Sequence, residues 1–319
     1  MKQILLVTAL TGALLVPLAH GRQNAPAAEP ARKKARKPRP RKTPAPQATP
    51  TKAIVYKKTK DAKGEAVELK LHVFEPDGHK ASDKRSAIVF FFGGGWVGGN
   101  PRQFFQHCKY LASRGMWAAS AEYRVRGRHG TTPFECVADG KSAVRYIRAN
   151  AEKLGVDPKR IAAGGGSAGG HVAACTGTVK GLDEKSEDAA VSSRPDAMVL
   201  FNPVIYCGPD GGYGFSRLKD RWKDISPVMN VSKETPPTIL FHGKADTTVK
   251  YANAEKFAQA MKEAGRRCEL VGLEGAKHGF FNYGRDGGAA YVKTVRAADT
   301  FLASLGFLKG KPTLEPPED

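Results

Sequence analysis

A serine flanked by glycines is the feature of this chain with the clearest chemical meaning. It lies in the segment 164–170, GGGSAGG, which contains the pattern G-x-S-x-G around Ser167. A short apolar run precedes it and a helix-like stretch follows it, which is the strand–turn–helix setting of a nucleophile elbow. The glycines let strand and helix approach closely, and the strained turn exposes the serine oxygen at a helix N-terminus. The alternative is a flexible glycine-rich loop without chemistry.

A serine hydroxyl becomes a nucleophile when a base takes its proton, and the base needs a carboxylate that holds its tautomer. Asp246 follows the apolar run 238–242, and His278 lies in a glycine-flanked loop after the run 268–273. The chain order serine, acid, histidine is one of the known orders of a catalytic triad. We therefore predict that Ser167, Asp246 and His278 form such a triad.

Other residues compete for the two partner roles. Asp220 and Asp224 are the alternative acids, but they lie in an irregular segment rather than after a strand. His242 is the alternative base, although its place at the end of a strand favours a structural role. His171 begins the helix behind the serine, where we expect it to pack or to form a hydrogen bond.

A second glycine-rich segment predicts an oxyanion hole. The sequence FGGGWVGG occupies 92–99 and follows the apolar run 87–92. Backbone N–H groups stabilise the negative charge that acyl transfer places on a carbonyl oxygen. We predict Gly94, Gly95 and Ala168 as the donors. A phosphate-binding loop is the alternative, but neither G-K-[ST] nor a G-x-G-x-x-G fingerprint that leads into a helix is present.

The rest of the chain alternates strands and helices, which predicts an α/β fold with a mainly parallel central sheet and helices on both faces. The first two strands have the alternating pattern of an edge hairpin, and the later ones are continuous apolar runs. The expected strands are 53–58, 68–74, 87–92, 116–123, 160–163, 197–201, 238–242 and 268–273, and the expected helices are 104–113, 133–153, 171–176, 252–264 and 289–305.

Together these motifs resemble the α/β-hydrolase superfamily. Within it, the chain is similar to the hormone-sensitive-lipase-like esterases and to bacterial acetyl esterases and acetylxylan esterases. The resemblance covers 87–305 and includes AEYR at 121–124, LGVDPKRI at 154–161 and the elbow GGSAGG at 165–170. It implies an α/β-hydrolase fold and a serine carboxylesterase that needs no cofactor or metal. The relatives build a helical cap largely from their N-terminal segment, which is a basic, proline-rich stretch here, so we expect a minimal cap. The resemblance also matches the predicted triad and oxyanion donors to the positions that have those roles in the family.

Two positions depart from the family pattern. Phe92 stands where the family usually has the histidine of H-G-G-G, and Gly166 stands where it usually has an aspartate before the nucleophile. Both changes remove polar support from the oxyanion loop and the elbow. They indicate a sub-branch of the family rather than the lipase-like group itself.

The N-terminal part has a different composition from the rest. Residues 1–21 have the pattern of a secretory signal peptide, with cleavage after Gly21, although an uncleaved membrane anchor is the alternative. No later segment is long and apolar enough to span a membrane. We therefore expect an exported protein, periplasmic or extracellular, with a catalytic domain at 53–309 and a tail at 310–319.

Residues 22–52 form a segment rich in Ala, Pro, Lys and Arg, which we expect to be disordered. Its ten basic residues and one acidic residue leave a net charge of +9, almost half of the +20 of the whole chain. It is either a tether to an anionic polymer or envelope surface, or a soluble spacer. Nucleic acid is a weaker partner, because the segment has no aromatic residues for stacking.

The five cysteines lack C-x-x-C spacing, so no zinc pattern is present.

The insert 207–228 predicts the substrate class. It is polar and carries aromatic residues, so it resembles a rim rather than the apolar lid of a long-chain lipase. We expect short acyl groups, above all acetyl, on carbohydrate. Trp96 and Trp222 are candidates for stacking on sugar, and a buried structural role is the alternative for Trp96. A serine peptidase of prolyl-oligopeptidase type and a non-catalytic binding protein on the same fold are the alternative functions.

Overall fold

The structure, a computed structural model, describes residues 48–315. The predicted signal peptide, most of the basic segment 22–52 and the last four residues of the chain lie outside the described residues. No helix among the described residues is long and apolar enough to cross a membrane. The strands are β1 Lys52–Lys60, β2 Ala66–Phe74, β3 Arg85–Phe91, β4 Trp117–Ala121, β5 Val156–Gly166, β6 Ala197–Phe201, β7 Thr238–Gly243 and β8 Cys268–Leu273. The helices are α1 Phe105–Ser113, α2 Arg126–His129, α3 Pro133–Ala149, α4 Ala168–Thr178, α5 Phe215–Leu218, α6 Tyr251–Glu263 and α7 Ala289–Ser304.

The eight strands form one sheet in the order β1-β2-β4-β3-β5-β6-β7-β8. β2 pairs antiparallel with β1 and β4, and all other neighbours are parallel. The predicted edge hairpin and mainly parallel sheet are therefore confirmed. The carboxyl ends of parallel strands meet at one edge of a sheet, where open α/β folds bind ligands. The loops after β3, β5, β7 and β8 all begin at this edge.

Two apolar cores cover the two faces of the sheet. One contains side chains of α3, α4 and α6, including Val144, Val172 and Phe257, and the other contains side chains of α1 and α7, including Leu111 and Phe301. The continuous apolar runs of the central strands supply both cores, because alternate side chains point to opposite faces. The five cysteines are free thiols, four of them buried.

Several elements differ in their bounds from the sequence-based expectation, and the ends of β5 and α3 have a clear physical reason. β5 extends to Gly166, beyond the expected end at 163, because residues 162–165 pair with both β3 and β6 and Gly166 pairs with β6, and this pairing outweighs the low strand propensity of glycine. α3 ends at Ala149 rather than at 153. There the side chain of Asn150 donates to the Tyr146 carbonyl oxygen at 2.9 Å and competes with the helical backbone.

Both ends of the described chain pack onto the domain. Ala48 is buried, and the Thr51 N–H donates to the Val73 carbonyl oxygen at 2.7 Å, so packing begins a few residues before the expected domain start at 53. At the other end the Gly310 carbonyl oxygen accepts from Arg114, and Leu314 contacts the core on the α1–α7 side. The first part of the expected tail thus lies against the folded domain.

His107, on α1, is buried among aromatic rings. Its ring lies 4.9 Å from those of Phe104 and Tyr291 and 5.3 Å from that of Phe201. Among the described residues neither ring nitrogen has a hydrogen-bond partner. Burial lowers the pKa of His107 to about 3, because a charged imidazolium would be poorly solvated there.

The buried neutral His107 makes folding stability depend on pH. Below pH 6.5 the unfolded chain protonates this imidazole and the folded chain does not, so the free energy of unfolding falls as the pH falls. One such group contributes up to about 1.4 kcal/mol per pH unit. We expect His107→Leu to flatten the stability curve between pH 6.5 and 5 in denaturant titrations. The control is Tyr291→Phe, which alters the same cluster without removing the imidazole; equal slopes in His107→Leu and the unmodified protein would contradict this account.

Candidate active site

Ser167 occupies a strained turn between β5 and α4. Its φ of 55° and ψ of −121° lie in a region that costs a residue other than glycine about 1–3 kcal/mol. The turn is tight because α4 begins directly beside β3. A Cβ at Gly169 would overlap the carbonyl oxygens of Phe91 and Phe92, so only glycine fits there. The arrangement is the strand–turn–helix elbow expected from the sequence.

The structure brings together the three side chains of the predicted triad. His278 Nε2 lies 2.9 Å from Ser167 Oγ, and His278 Nδ1 lies 2.7 Å from Asp246 Oδ2. Ser167 follows β5, Asp246 follows β7 and His278 follows β8, so the parallel sheet delivers all three to one edge. This geometry allows the imidazole to take the serine proton while the carboxylate holds the opposite ring nitrogen.

The environment of Asp246 keeps its carboxylate ionised. Burial would raise its pKa, but the hydrogen bond with His278 and those from the backbone N–H groups of Val249 and Thr248 outweigh that effect and lower the pKa. The two N–H groups donate to Oδ1 at 3.0 and 2.8 Å. Oδ1 is thus used to fix the carboxylate, and Oδ2 faces the imidazole.

The competing residues have structural contacts instead. His242 is buried and its Nε2 lies 2.8 Å from the Val249 carbonyl oxygen. His171 Nε2 lies 2.7 Å from the Ile225 carbonyl oxygen, which agrees with the expected packing role. Asp224 forms an exposed ion pair with Arg221 on the surface of the insert. None of these three contacts includes Ser167.

The oxyanion loop, residues 92–99, lies against the nucleophile. A Cβ built at Gly93 would lie 3.3 Å from Ser167 Cβ. Gly94 has a φ of 132° and Gly95 a φ of 61°, conformations that favour glycine. The Gly94 carbonyl oxygen accepts from the N–H groups of Val97 at 3.0 Å and Gly98 at 3.1 Å, which closes the loop into a compact turn. Ala168, the third predicted donor, is the first residue of α4.

A pair of side-chain amides connects the oxyanion loop to the histidine loop. Gln103 Oε1 accepts from the Gly93 N–H at 2.6 Å, and Gln103 Nε2 donates to Asn282 Oδ1 at 2.9 Å. Asn282 Nδ2 then donates to the Gly279 carbonyl oxygen at 2.7 Å, next to His278. The sequence analysis missed both amides, because no motif marks them and 179 positions separate them.

The absence of an aspartate before the nucleophile has a steric reason. A Cβ at Gly166 would overlap the ring of Phe281, so no larger side chain fits at 166. Phe281 stacks on Phe104 with ring centroids 5.5 Å apart and lies 5.1 Å from the ring of Phe201. Aromatic packing therefore replaces polar support beneath the elbow.

Aromatic packing also stabilises the second position that departs from the family pattern, Phe92. Phe92 is fully buried and stacks on Tyr123, with ring centroids 4.3 Å apart and planes inclined by 21°. The Tyr123 hydroxyl donates to the Phe92 carbonyl oxygen at 2.5 Å. Phe92 is thus held at both its ring and its backbone, so the start of the oxyanion loop is fixed without a histidine.

The two tryptophans proposed for sugar stacking have different fates. Trp96 is only 1% exposed, and its Nε1 donates to His171 Nδ1 at 3.2 Å. This burial against the rings of His171 and Tyr213 favours the structural role that was the alternative for Trp96. Trp222 is half-buried and lies edge-on to Tyr206 at 5.5 Å. Its role in binding substrate stays a prediction.

The overlap at Gly166 can be tested by substitution. We expect Gly166→Ala to lower the free energy of unfolding by about 1–3 kcal/mol, because the added methyl group must displace Phe281. The double variant Gly166→Ala, Phe281→Leu should lose less than the sum of the two single losses in a double-mutant cycle measured by chemical denaturation. Gly98→Ala is the control, since nothing lies within 4 Å of the site of its Cβ. Simple additivity would contradict the overlap.

The amide bridge makes a prediction about turnover. Gln103→Leu frees the Gly93 N–H and the Asn282 side chain, and we expect kcat to fall on the order of 10- to 100-fold, with a smaller change in KM. Gln103→Glu keeps an acceptor for Gly93 and should lose less. Adding Asn282→Leu to Gln103→Leu should cost little more, because one bridge is broken only once. Independent losses in steady-state kinetics would show that the two amides act separately.

Comparison with known proteins gives the same fold and a family. The model of the protein family BD-FAE matches residues 71–205 and 212–261, more than half of the chain. The apo form of esterase 2 from Thermogutta terrifontis is 49% identical, with a TM-score of 0.77, and the match covers 83% of this chain and 97% of that one. The propionate-bound form of the same esterase is 48% identical, with a TM-score of 0.76 and the same two coverages.

Curated relatives agree at lower identity. The acetylxylan esterase of Xylanibacter ruminicola is 26% identical over 207 residues, which are 61% of this chain and 41% of that protein. The chain spans about half the length of the curated relatives that it matches first. The site geometry, the fold and these matches lead to one conclusion: the chain belongs to the BD-FAE family of α/β-hydrolase esterases.

Proposed function

We propose that this protein is a serine carboxylesterase in which Ser167, His278 and Asp246 form the catalytic triad. The observation that carries the proposal is the continuous hydrogen-bonded line from Asp246 through His278 to the Ser167 hydroxyl, at 2.7 and 2.9 Å. The line ends beside a glycine loop, where a reacting carbonyl group can reach both the serine oxygen and backbone donors. Relatives that are named esterases favour ester hydrolysis over peptide cleavage or ligand binding without catalysis.

The geometry supports a two-step mechanism. In the first step Ser167 Oγ attacks the ester carbonyl carbon while His278 Nε2 takes its proton, and Asp246 stabilises the imidazolium. The carbonyl oxygen becomes an oxyanion, for which Gly94, Gly95 and Ala168 supply the N–H groups. Each such donor is worth about 100- to 1000-fold in kcat. The imidazolium then returns its proton to the departing alcohol, which leaves an acyl group on Ser167.

The second step removes the acyl group by the same machinery. His278 takes a proton from water, whose oxygen attacks the acyl carbon, and the oxyanion again lies among the backbone donors. The proton then passes to Ser167 Oγ as the acid is released. Asp246 keeps its charge throughout, in agreement with its lowered pKa.

We propose that the substrate carries a short acyl group, above all acetyl, on carbohydrate. The polar insert 207–228 supports this, as do two relatives: an esterase solved with propionate bound and a protein named acetylxylan esterase. Trp222, half-buried in this insert, is the remaining aromatic candidate for sugar contact. The ester is a small molecule or part of a polysaccharide.

We further propose that the enzyme works outside the cytoplasm. The support is the pattern of residues 1–21, which is typical of a secretory signal peptide. The basic segment 22–52 then serves either as a tether to an anionic polymer of the envelope or as a spacer. Both ideas rest on sequence, since residues 1–47 lie outside the described part of the chain.

The proposed function is tested on the full chain with aryl esters of increasing acyl length. We expect acetyl and propionyl esters to be hydrolysed at least tenfold faster than octanoyl esters, as kcat/KM, because the polar insert 207–228 resembles a rim rather than the apolar lid of a long-chain lipase. Ser167→Ala should lose on the order of 10⁶-fold in kcat and all labelling by a fluorophosphonate. Ser192→Ala, at an exposed serine, is the control and should keep both. Labelling that survives Ser167→Ala would refute the assigned nucleophile.

A further inference from the structure

A cavity of about 390 Å³ borders the oxyanion loop. Its wall contains two arginines, which ester hydrolysis by a triad does not require. Three segments form its wall: the oxyanion loop, α2 with the turn that follows it, and the start of α5 in the polar insert. Gly95, a predicted oxyanion donor, belongs to the wall. A group bound in this cavity therefore contacts the loop that carries two of the predicted oxyanion donors. We call it the loop cavity.

Two arginines without acidic partners line the loop cavity. Arg126 comes from α2 and Arg217 from α5, and both side chains are exposed. Within residues 48–315 neither forms an ion pair, and no lining residue of the cavity is acidic. Two positive charges at one cavity repel each other, and an anion bound between them would be attracted to both.

The fold fixes the backbone of Arg126 and the side chain of Arg217. The Arg126 N–H donates to the Trp96 carbonyl oxygen at 2.9 Å, which fixes α2 against the oxyanion loop. Arg217 Nη1 donates to the Gly95 carbonyl oxygen at 2.6 Å, and its guanidinium lies 5.9 and 5.8 Å from the ring centroids of Trp96 and Tyr213. A guanidinium has five N–H donors, so most of those of Arg217 stay available to a ligand.

A buried hydroxyl group in the same wall lacks a partner. Thr131 is 6% exposed, and its Oγ1 has no hydrogen-bond partner among the described residues. Leaving such a group unpaired costs about 1–3 kcal/mol, so a ligand that reaches Thr131 from the cavity and accepts its proton would gain this pairing. An anion is such an acceptor, and the two arginines point to the same chemistry.

We propose that the loop cavity binds a carboxylate on the carbohydrate part of the substrate, so that the preferred substrate is an acetylated uronic acid. The planar fork of arginine matches a carboxylate with two parallel hydrogen bonds, and the Thr131 hydroxyl can add a third. This inference rests on the proposed function, because it names the sugar that carries the ester. It assigns Arg126, Arg217 and Thr131 to substrate selection and leaves the chemistry to the triad.

The test compares two monoacetylated methyl glycosides, a glucuronide and a glucoside, which differ only in a carboxylate at C6. We expect the full-length enzyme to favour the glucuronide by about tenfold in kcat/KM at low salt, and this preference should shrink in 0.5 M NaCl. Arg126→Gln and Thr131→Val should each reduce the ratio of the two kcat/KM values severalfold. Lys219→Gln, at an exposed lysine outside the cavity wall, is the matched control and should keep the ratio.

A ratio near one in the unmodified enzyme, or an unchanged ratio in both cavity variants, would overturn the inference. So would a stronger preference for an acetylated glucoside 6-phosphate, which would assign the cavity to phosphate. Hydrolysis of p-nitrophenyl acetate reports separately on the proposed esterase. Calorimetric titration of Ser167→Ala with methyl glucuronide tests the cavity without turnover: weaker binding after adding Arg126→Gln supports the inference, and no difference contradicts it.

Discussion

The backbone of Ser167 has a φ of 55°, and much of the site depends on keeping it there. The turn is held from three sides. The Ser167 N–H donates to the Phe201 carbonyl oxygen at 3.0 Å, its carbonyl oxygen accepts from His171 and Val204, and Gly169 lets α4 begin against β3. Because the surrounding ladders are fixed by a parallel sheet, the strain of one residue is supported by a whole core.

The same constraint explains why aromatic rings collect beneath the site. Phe281 lies three residues after His278 and fills the space where a side chain at Gly166 would be. One ring therefore packs against the nucleophile turn and anchors the loop that carries the base. On the other side, the bridge from Gly93 through Gln103 to Asn282 connects the oxyanion loop to that same loop. The histidine loop is thus connected to the serine turn by packing and to the oxyanion loop by hydrogen bonds.

The sequence predicted what depends on local pattern and chain order. The glycines around Ser167 and the apolar runs before Asp246 and His278 placed three side chains at the ends of parallel strands, and the structure puts them within hydrogen-bond distance. It could not predict contacts between distant segments. The amide bridge, the stacking of Phe281 and the inward turn of Trp96 all depend on how loops pack after the sheet has formed. The sequence indicated the loss of polar support at Phe92 and Gly166, but not the aromatic packing that takes its place.

Exposure differs among the three side chains of the predicted triad. The Asp246 side chain is fully buried, that of His278 is 24% exposed, and Ser167 is half-buried at the surface end. In the proposed mechanism, solvent can therefore reach His278 and the acyl group on Ser167. Water and any small alcohol then compete for the same approach to His278 Nε2. In the proposed mechanism, the relative concentrations of water and alcohols in the surrounding medium therefore influence whether the acyl group is released as an acid or transferred to a new hydroxyl.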